Sequence, residues 1–162
     1  MQALIKAGAA LLAAVLFTTV AQAASPENTL VIELKNDKSA VVEIELLPKL
    51  APGHVERIKK LARAKFYEVI HLHRVNPGIM AQTGDPDGNF TGGSDMPDLK
   101  AEISGDTYKR GTVGAARTAN PDSANSQFFI CFDDSGCAHL TGQYTVWGQV
   151  ISGMEHVDKI TG

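Results

Sequence analysis

Arg74 is the residue whose surroundings most call for a chemical explanation. It closes an apolar run, I-H-L-H-R-V at residues 70–75, and Gln82 follows within M-A-Q-T-G-D. A guanidinium is a permanent cation with a rigid fork of donors, so it can serve as a fixed hydrogen-bond donor on an apolar surface. An ion pair at the end of a strand is the alternative, and the residues alone do not separate the two.

Other groups of reactive residues give weaker evidence for a catalytic or metal-binding site. His71 and His73 share one face of a predicted strand, but no third ligand has convincing spacing, so packed histidines are favoured over a metal site. The acidic pairs at 85/87 and 133/134 lie in turn-like contexts, where Asp satisfies the local backbone. The chain has no G-x-S-x-G elbow, P-loop or G-x-G-x-x-G motif, so hydrolase, kinase and dehydrogenase chemistry have no support.

The elements that position these residues are mostly short strands. A helix is predicted from Pro52, where apolar residues recur at helical spacing, and a short final helix is predicted at 153–160. Strands are predicted at 30–34, 41–46, 69–75, 79–83, 112–116, 127–132 and 145–150, the first two joined by a turn at 36–38. This pattern indicates a closed barrel or a sandwich. The Gly- and Asp-rich loop at 84–96 is expected to be functional or pinned to the surface.

Size and charge restrict the class of protein. The 162 residues suit one domain, with 44 % hydrophobic and 20 % charged residues. The net charge of −3 supplies no basic face, so nucleic acid is not an expected partner.

The first 23 residues predict a secretory signal peptide. Lys6 precedes an apolar stretch, and Ala21-Gln22-Ala23 supplies a cleavage site. We therefore expect a link at 24–29, a domain at 30–162, and export, to the bacterial periplasm or beyond, with no membrane anchor once the signal is removed.

Cys131 and Cys137 are the two cysteines, six residues apart. An oxidising compartment would permit a bridge between them. Two unrelated thiols, one in the core and one in a loop, are the favoured interpretation, because spacing alone does not fix the Cβ geometry.

Three segments resemble the cyclophilin family of peptidyl-prolyl cis-trans isomerases. Residues 73–86, H-R-V-N-P-G-I-M-A-Q-T-G-D-P, are similar to the family's F-H-R-x-x-x-G-F-M-x-Q-x-G-D segment. Residues 126–130 read S-Q-F-F-I, as in its core strand, and residues 140–150 resemble its L-x-G-x-x-x-V-F-G-x-V block. The likeness runs from about residue 30 to the end of the chain.

The resemblance implies a closed eight-stranded antiparallel barrel with two capping helices, and catalysis without a cofactor. It implies that Arg74 is catalytic, by hydrogen bonding to the pyramidal proline nitrogen, with Gln82 as its polar neighbour. The substrate-binding positions that it implies are Ile79, Met80, Thr118, Ala119, Gln127, Phe129, His139, Leu140 and Tyr144. Proline-containing polypeptides are the expected partners of a monomer; a proline-peptide binding module with little turnover and a secreted effector are the alternatives.

Departures from the family pattern qualify these expectations. Ile79 replaces a Phe in the proline pocket, so an altered substrate preference is expected. His139 stands where many members have the Trp associated with cyclosporin binding, and Tyr144 replaces a His, so cyclosporin is expected to bind with reduced affinity. The sequence stops soon after the final helix. Either the last barrel strand is missing from a truncated chain, or the barrel edge is partly open.

Overall fold

A computed structural model describes residues 24–34, 37–68 and 70–160. The predicted signal peptide at 1–23 and residue 36 of the predicted hairpin turn lie outside the described residues, whereas residues 37–38 of that turn belong to a strand. The strands are β1 (Thr29–Leu34), β2 (Asp37–Leu46), β3 (Arg74–Asn76), β4 (Met80–Thr83), β5 (Thr112–Ala115), β6 (Phe128–Cys131) and β7 (Val146–Ser152). The helices are α1 (Pro52–Arg63), α2 (Asp134–Cys137) and α3 (Met154–Val157), with short 3-10 turns at Pro26–Asn28 and Ala138–Leu140.

The described strands form one antiparallel sheet in the order β1-β2-β7-β5-β6-β4-β3. β1 and β2 pair as the predicted hairpin, with Leu30 opposite Ile44. β2 then pairs with β7 at the other end of the chain, and register shifts in three of the pairings mark irregularities that bend the strands. The mainly-β antiparallel class is confirmed. The described strands number seven, with β1 and β3 at the edges of the sheet.

The helix α1 begins where the sequence predicts it, at Pro52. Val55, Ile58 and Leu61 are buried at helical spacing, so one face of α1 packs on the sheet. The side chain of its N-cap residue, Ala51, makes no capping hydrogen bond. Glu102, from a distant loop, accepts hydrogen bonds from the backbone N–H groups of Gly53 and His54, both at 3.0 Å.

The inner strand β6 is buried on both faces, which is why its sequence is continuously apolar. Phe128 and Ile130 point into the main core, where Phe128 meets the buried Trp147 edge-to-face at 5.3 Å between ring centroids. Phe129 and Cys131 point the opposite way, into a second apolar cluster that includes Leu140. The two clusters therefore lie on opposite faces of one strand.

Three predictions about the elements need correction. The predicted strand at 69–75 is reduced to β3, because residues 70–73 pair with no strand and residue 69 is outside the described part. The final helix is one turn, Met154–Val157. The two cysteines are not separate thiols: Cys131 and Cys137 form a disulfide, with their Cα atoms 6.1 Å apart, because the turn of α2 carries Cys137 back over β6.

Among the described residues no helix is long and apolar enough to cross a membrane.

Candidate active site

Three neighbouring strands bring the predicted site residues into one row. Arg74 on β3 is the register partner of Gln82 on β4, and Gln82 is the register partner of Phe129 on β6. Side chains opposite one another in antiparallel strands share a face, so a cation, an amide and an aromatic ring stand side by side. Gln82 and Phe129 are buried, whereas Arg74 is exposed at the sheet edge with its guanidinium accessible to a ligand.

The amide groups beside Arg74 are held in one orientation. Gln127 Nε2 donates to the carbonyl oxygen of Gly92 at 2.8 Å, which leaves Gln127 Oε1 to accept from Gln82 Nε2 at 2.8 Å. The oxygen of Gln82 is thereby directed at Arg74, whose Nη1 lies 3.5 Å from Gln82 Oε1. This last contact is long, so the guanidinium is aimed by Gln82 while keeping donors for another acceptor.

An apolar pocket adjoins this row. Met80 is partly buried, and Phe129 and Leu140 are 2 % and 7 % exposed. The ring of Tyr108 stacks behind Phe129 with centroids 5.7 Å apart, and its hydroxyl donates to the carbonyl of Thr145 at 3.2 Å. Burial raises the pKa of Tyr108 well above its ordinary value, so the hydroxyl keeps its proton and this bond. The wall of the pocket is therefore rigid.

The opposite rim of the pocket is built by Tyr144 and Arg117. Tyr144 meets Phe129 edge-to-face at 5.9 Å, and the guanidinium carbon of Arg117 lies 4.4 Å from the centroid of the Tyr144 ring. Arg117 also donates to the carbonyl oxygens of Thr118 and Gln143, both at 2.8 Å. A planar guanidinium can do all three at once, so Arg117 ties two loops together at the rim.

Asp85 holds the loop across from the rim. Its buried carboxylate accepts backbone N–H groups from Asp87, Asn89 and Phe90, at 2.9, 3.0 and 2.6 Å. Burial acts to raise the pKa of Asp85, but the backbone N–H groups of Asp87, Phe90 and Gly92, with a smaller effect of His73, outweigh it. The net pKa is lowered, which keeps the carboxylate charged. A Cβ on Gly92 would lie 2.0 Å from Asp85 Oδ1, so glycine is required at that position.

These parts enclose a groove of about 760 Å³ between the pocket and the Asp85 loop. The predicted site residues that line it are Arg74, Met80, Gln82, Thr118, Gln127, Phe129, Leu140 and Tyr144. Ile79, Ala119 and His139 are not among the lining residues. Ile79 packs against the second cluster, and Ala119 and His139 are exposed. Their predicted contact with substrate stays a prediction.

Part of the lining was not among the predicted site residues. Residues 90–94, Asp98, Ser123 and Asn125 also face the groove. For residues 90–94 the sequence offered only the length of the loop at 84–96. That length indicated a functional loop but not which of its residues would face the groove.

No group of three or more His, Cys, Asp or Glu side chains that could hold a metal occurs within the described ranges. His71 is exposed, and both ring nitrogens of His73 are buried without a hydrogen-bond partner. The chemistry available in the groove is a fixed cationic donor beside a rigid apolar pocket, with two amides between them. Such a site can bind a ring and polarise an atom attached to it.

Comparisons with known proteins identify the family. Residues 29–162 match the model for cyclophilin type peptidyl-prolyl cis-trans isomerases. A probable peptidyl-prolyl cis-trans isomerase of Brucella suis is 54 % identical over 151 residues, covering 86 % of this chain and 74 % of the relative. Peptidyl-prolyl cis-trans isomerase B of Bacillus subtilis is 41 % identical over 122 residues, covering 74 % of this chain and 82 % of the relative.

A solved structure agrees with the sequence comparisons. The crystal structure of cyclophilin AquaCyp293 from Hirschia baltica superimposes with a TM-score of 0.72 at 25 % identity, covering 85 % of this chain and 68 % of that one. The curled antiparallel sheet is therefore the cyclophilin fold, and the resemblance in the three sequence segments is confirmed. The chain belongs to the cyclophilin-type peptidyl-prolyl cis-trans isomerase family.

Proposed function

We propose that this isomerase accelerates X–Pro bond rotation by donating a hydrogen bond from Arg74 to the proline nitrogen. The observation that carries the proposal is the register row, in which Arg74, Gln82 and Phe129 stand on adjacent strands at the mouth of an apolar pocket. Met80, Phe129 and Leu140 form a pocket for the proline ring. The exposed guanidinium then meets the nitrogen at the edge of that ring.

The physical argument starts from amide resonance. The uncatalysed barrier of roughly 18–20 kcal/mol exists because rotation breaks the partial double bond. In the twisted state the proline nitrogen is pyramidal and has a basic lone pair, which neither planar ground state has. A donor fixed at that nitrogen therefore binds the transition state more tightly than the substrate.

The required stabilisation is within reach of this site. Shortening a step of tens of seconds to milliseconds takes about four decades in rate, or about 5–6 kcal/mol at 1.36 kcal/mol per decade. A charge-assisted hydrogen bond is roughly twice as strong as a neutral one, and it strengthens further once a bound peptide displaces water from around the guanidinium. Holding the ring against Phe129 and Leu140 supplies the remainder by fixing one side of the rotating bond.

The test is an isomerisation assay on the purified chain, with Arg74→Ala and Arg74→Lys. We expect Arg74→Ala to lower kcat/KM about 10²–10³-fold, as for the removal of one oriented transition-state donor. Arg74→Lys keeps the charge but loses the planar fork, so an intermediate rate is expected. The thermal unfolding midpoint should change little, because Arg74 is exposed. Arg63→Ala, an exposed arginine on α1 paired with Glu27, is the matched control and should keep the wild-type rate.

Two outcomes contradict parts of the proposal. A rate for Arg74→Ala equal to that of the wild type would show that the arginine does not act on the nitrogen. If neither protein exceeds the uncatalysed rate while both bind proline peptides, the chain is a binding module.

We also propose the closed eight-stranded barrel of the family, with a helix over each end, as the architecture of the protein. In its support, β1 and β3 form the edges of the described sheet, and an eighth strand could join them. Hydrogen exchange tests this, because some β1 amides point away from β2. Slow exchange at those amides supports closure, and exchange at the rate of an unstructured peptide overturns it.

Export is proposed as well. The Cys131–Cys137 disulfide supports an oxidising compartment, where exported proteins that are still folding would be the clients. Expression of residues 1–162 in a bacterium, followed by fractionation and mass measurement, should give a periplasmic chain that begins at Ala24. An uncleaved cytoplasmic chain would contradict this.

Reduced cyclosporin affinity is a further proposal, which nanomolar inhibition of the purified protein would overturn. A monomeric state is also proposed, and a dimer in analytical sedimentation would overturn it.

A further inference from the structure

The backbone of Phe90 adopts a conformation that bulky residues rarely take. Its φ is +75°, and Lys65 is the only other non-glycine residue with a positive φ in the described ranges. Lys65 follows the end of α1, where a left-handed residue commonly terminates a helix. Phe90 ends no helix, and glycine would adopt the same conformation without strain. The strained position therefore invites a functional explanation for its side chain.

Side chains anchored on the sheet hold Phe90 in this conformation. Asp85 Oδ2 accepts its N–H at 2.6 Å, and Gln127 Nε2 lies 3.3 Å from its carbonyl oxygen. Gln127 is also the residue that orients Gln82 toward Arg74. The position of the Phe90 backbone is thus set by the same amide network as the proposed catalytic donor.

The ring of Phe90 is supported on one side and free on the other. It meets the ring of His73 edge-to-face with centroids 5.3 Å apart. Nevertheless 56 % of the residue is exposed, and it lines the groove. A large aromatic surface is therefore presented to whatever occupies the groove.

The place of Phe90 relative to the proline ring suggests which part of a substrate it meets. In the proposed placement, the proline ring lies among Met80, Phe129 and Leu140, and its nitrogen faces Arg74. The residue that precedes the proline is bonded to that nitrogen, so it extends from the ring on the side of Arg74. A chain of hydrogen bonds runs from Arg74 through Gln82 and Gln127 to the backbone of Phe90. Phe90 therefore lies on the same side of the proposed proline ring as Arg74.

We propose that Phe90 is a specificity-determining residue that packs against the side chain preceding the proline and favours aromatic or large aliphatic residues there. This inference rests on the proposed placement of the proline ring. An aromatic contact of this kind discriminates between side chains by about three- to tenfold.

The test compares kcat/KM for two peptides, Ala-Phe-Pro-Ala and Ala-Ala-Pro-Ala, by NMR exchange spectroscopy. The ratio of the two values should fall about three- to tenfold in Phe90→Gly and Phe90→Ala. Phe90→Tyr keeps the ring and should keep the ratio. Phe90→Gly should unfold at the wild-type temperature or above it, because glycine accepts the positive φ. A fall in the ratio therefore cannot be assigned to a damaged fold.

Other results overturn the inference. An unchanged ratio in Phe90→Gly and Phe90→Ala would do so. So would a loss of selectivity confined to the residue after the proline, measured with Ala-Pro-Phe-Ala against Ala-Pro-Ala-Ala. These results can be told apart from a failure of the proposed arginine mechanism. If that mechanism is wrong, Arg74→Ala keeps the wild-type rate on both peptides.

Discussion

Gly114 leaves the space that two buried rings of the pocket occupy. A Cβ at this position would lie 2.2 Å from Tyr108 Oη and 2.6 Å from Phe129 Cζ. Neither ring can move freely, because the hydroxyl of Tyr108 is bonded to Thr145 and Phe129 is packed on both sides. The shape of the pocket proposed to hold the proline ring therefore depends on the absence of one methyl group.

We expect Gly114→Ala to destabilise the protein by about 1–3 kcal/mol, as for overpacked cores. It should also lower kcat/KM, because Phe129 must shift into the pocket. Urea unfolding measures the first effect and the isomerisation assay the second. Gly105 has open space around its Cβ position, so Gly105→Ala is the control and should change stability by no more than about 0.5 kcal/mol. Equal results for the two variants would contradict the close packing.

The sequence motifs predicted which residues would come together in the groove. They could do so because these residues lie within strands or directly beside them: Arg74, Met80, Gln82, Gln127 and Phe129. A strand fixes the direction of each side chain by alternation. Phe90 and the stacked guanidinium of Arg117 lie in loops, where direction depends on φ values and on partners distant in sequence. A phenylalanine gives no sign in the sequence that its φ will be positive.

At the scale of elements, the N-terminus of α1 is completed by another part of the chain. Besides the two backbone N–H groups, Glu102 Oε2 contacts the buried His54 Nδ1 at 2.6 Å. Partial burial acts to raise the pKa of Glu102, but the hydrogen bonds from the His54 side chain and from the two N–H groups outweigh it. The net pKa is lowered from 4.5.

This lowered pKa makes stability depend on pH in one direction. Above the ordinary pKa of 4.5 the stabilisation by Glu102 is complete, and it is lost as the pH falls through the lower folded value. Glu102→Gln should therefore cost about 1–2 kcal/mol at pH 7. The difference between wild type and variant should shrink as the pH falls below about 4. Urea unfolding at several pH values measures it, and a difference that stays constant would contradict the role of the carboxylate.

The disulfide fastens α2 to the back of the pocket. Cys131 is the register partner of Met80, and Cys137 precedes the turn that carries Leu140, so two pocket residues are joined through it. Replacing both cysteines by alanine should cost about 2 kcal/mol, from the entropy of a loop this short. It should also raise KM for proline peptides, because the Leu140 wall is released.

Urea unfolding and peptide titration measure these effects. Wild-type protein reduced in denaturant and refolded under reducing conditions should match the double variant in stability. Alkylation of both cysteines in the native, unreduced protein would contradict the bridge.

Elements with a clear period were predictable, and those that depend on tertiary pairing were not. The helix α1 and the β1–β2 hairpin follow their patterns closely. The apolar run at 69–75 contains β-branched residues, yet β4 offers a partner only to Arg74–Asn76. The spacing of the cysteines could not show that α2 turns back over β6.

At the scale of the whole molecule, the core and the site occupy opposite faces of β6. Phe128 packs with Trp147 in the main core, and its neighbour Phe129 forms the pocket. Substitutions of these two adjacent phenylalanines should therefore differ in their effect on activity, although both side chains are buried.

We expect Phe128→Leu to cost about 1–2 kcal/mol while the folded protein keeps a kcat/KM close to that of the wild type. Phe129→Leu should instead lower kcat/KM by about tenfold, because the ring that is proposed to hold the proline is lost. Trp147 is the only tryptophan of the chain, so its fluorescence reports unfolding in both variants. An equal loss of activity in the two would contradict the division between the faces.

The capping of α1 by Glu102 also bears on the order of folding. Gly53 and His54 are 49 and 48 residues from Glu102 along the chain, so the first turn of the helix is completed only after a long loop has closed. A single polar contact repays little of the entropy of closing so long a loop, so we expect it to form after the transition state. Glu102→Gln should then accelerate unfolding and leave the refolding rate nearly unchanged, which corresponds to a φ-value near zero in stopped-flow kinetics.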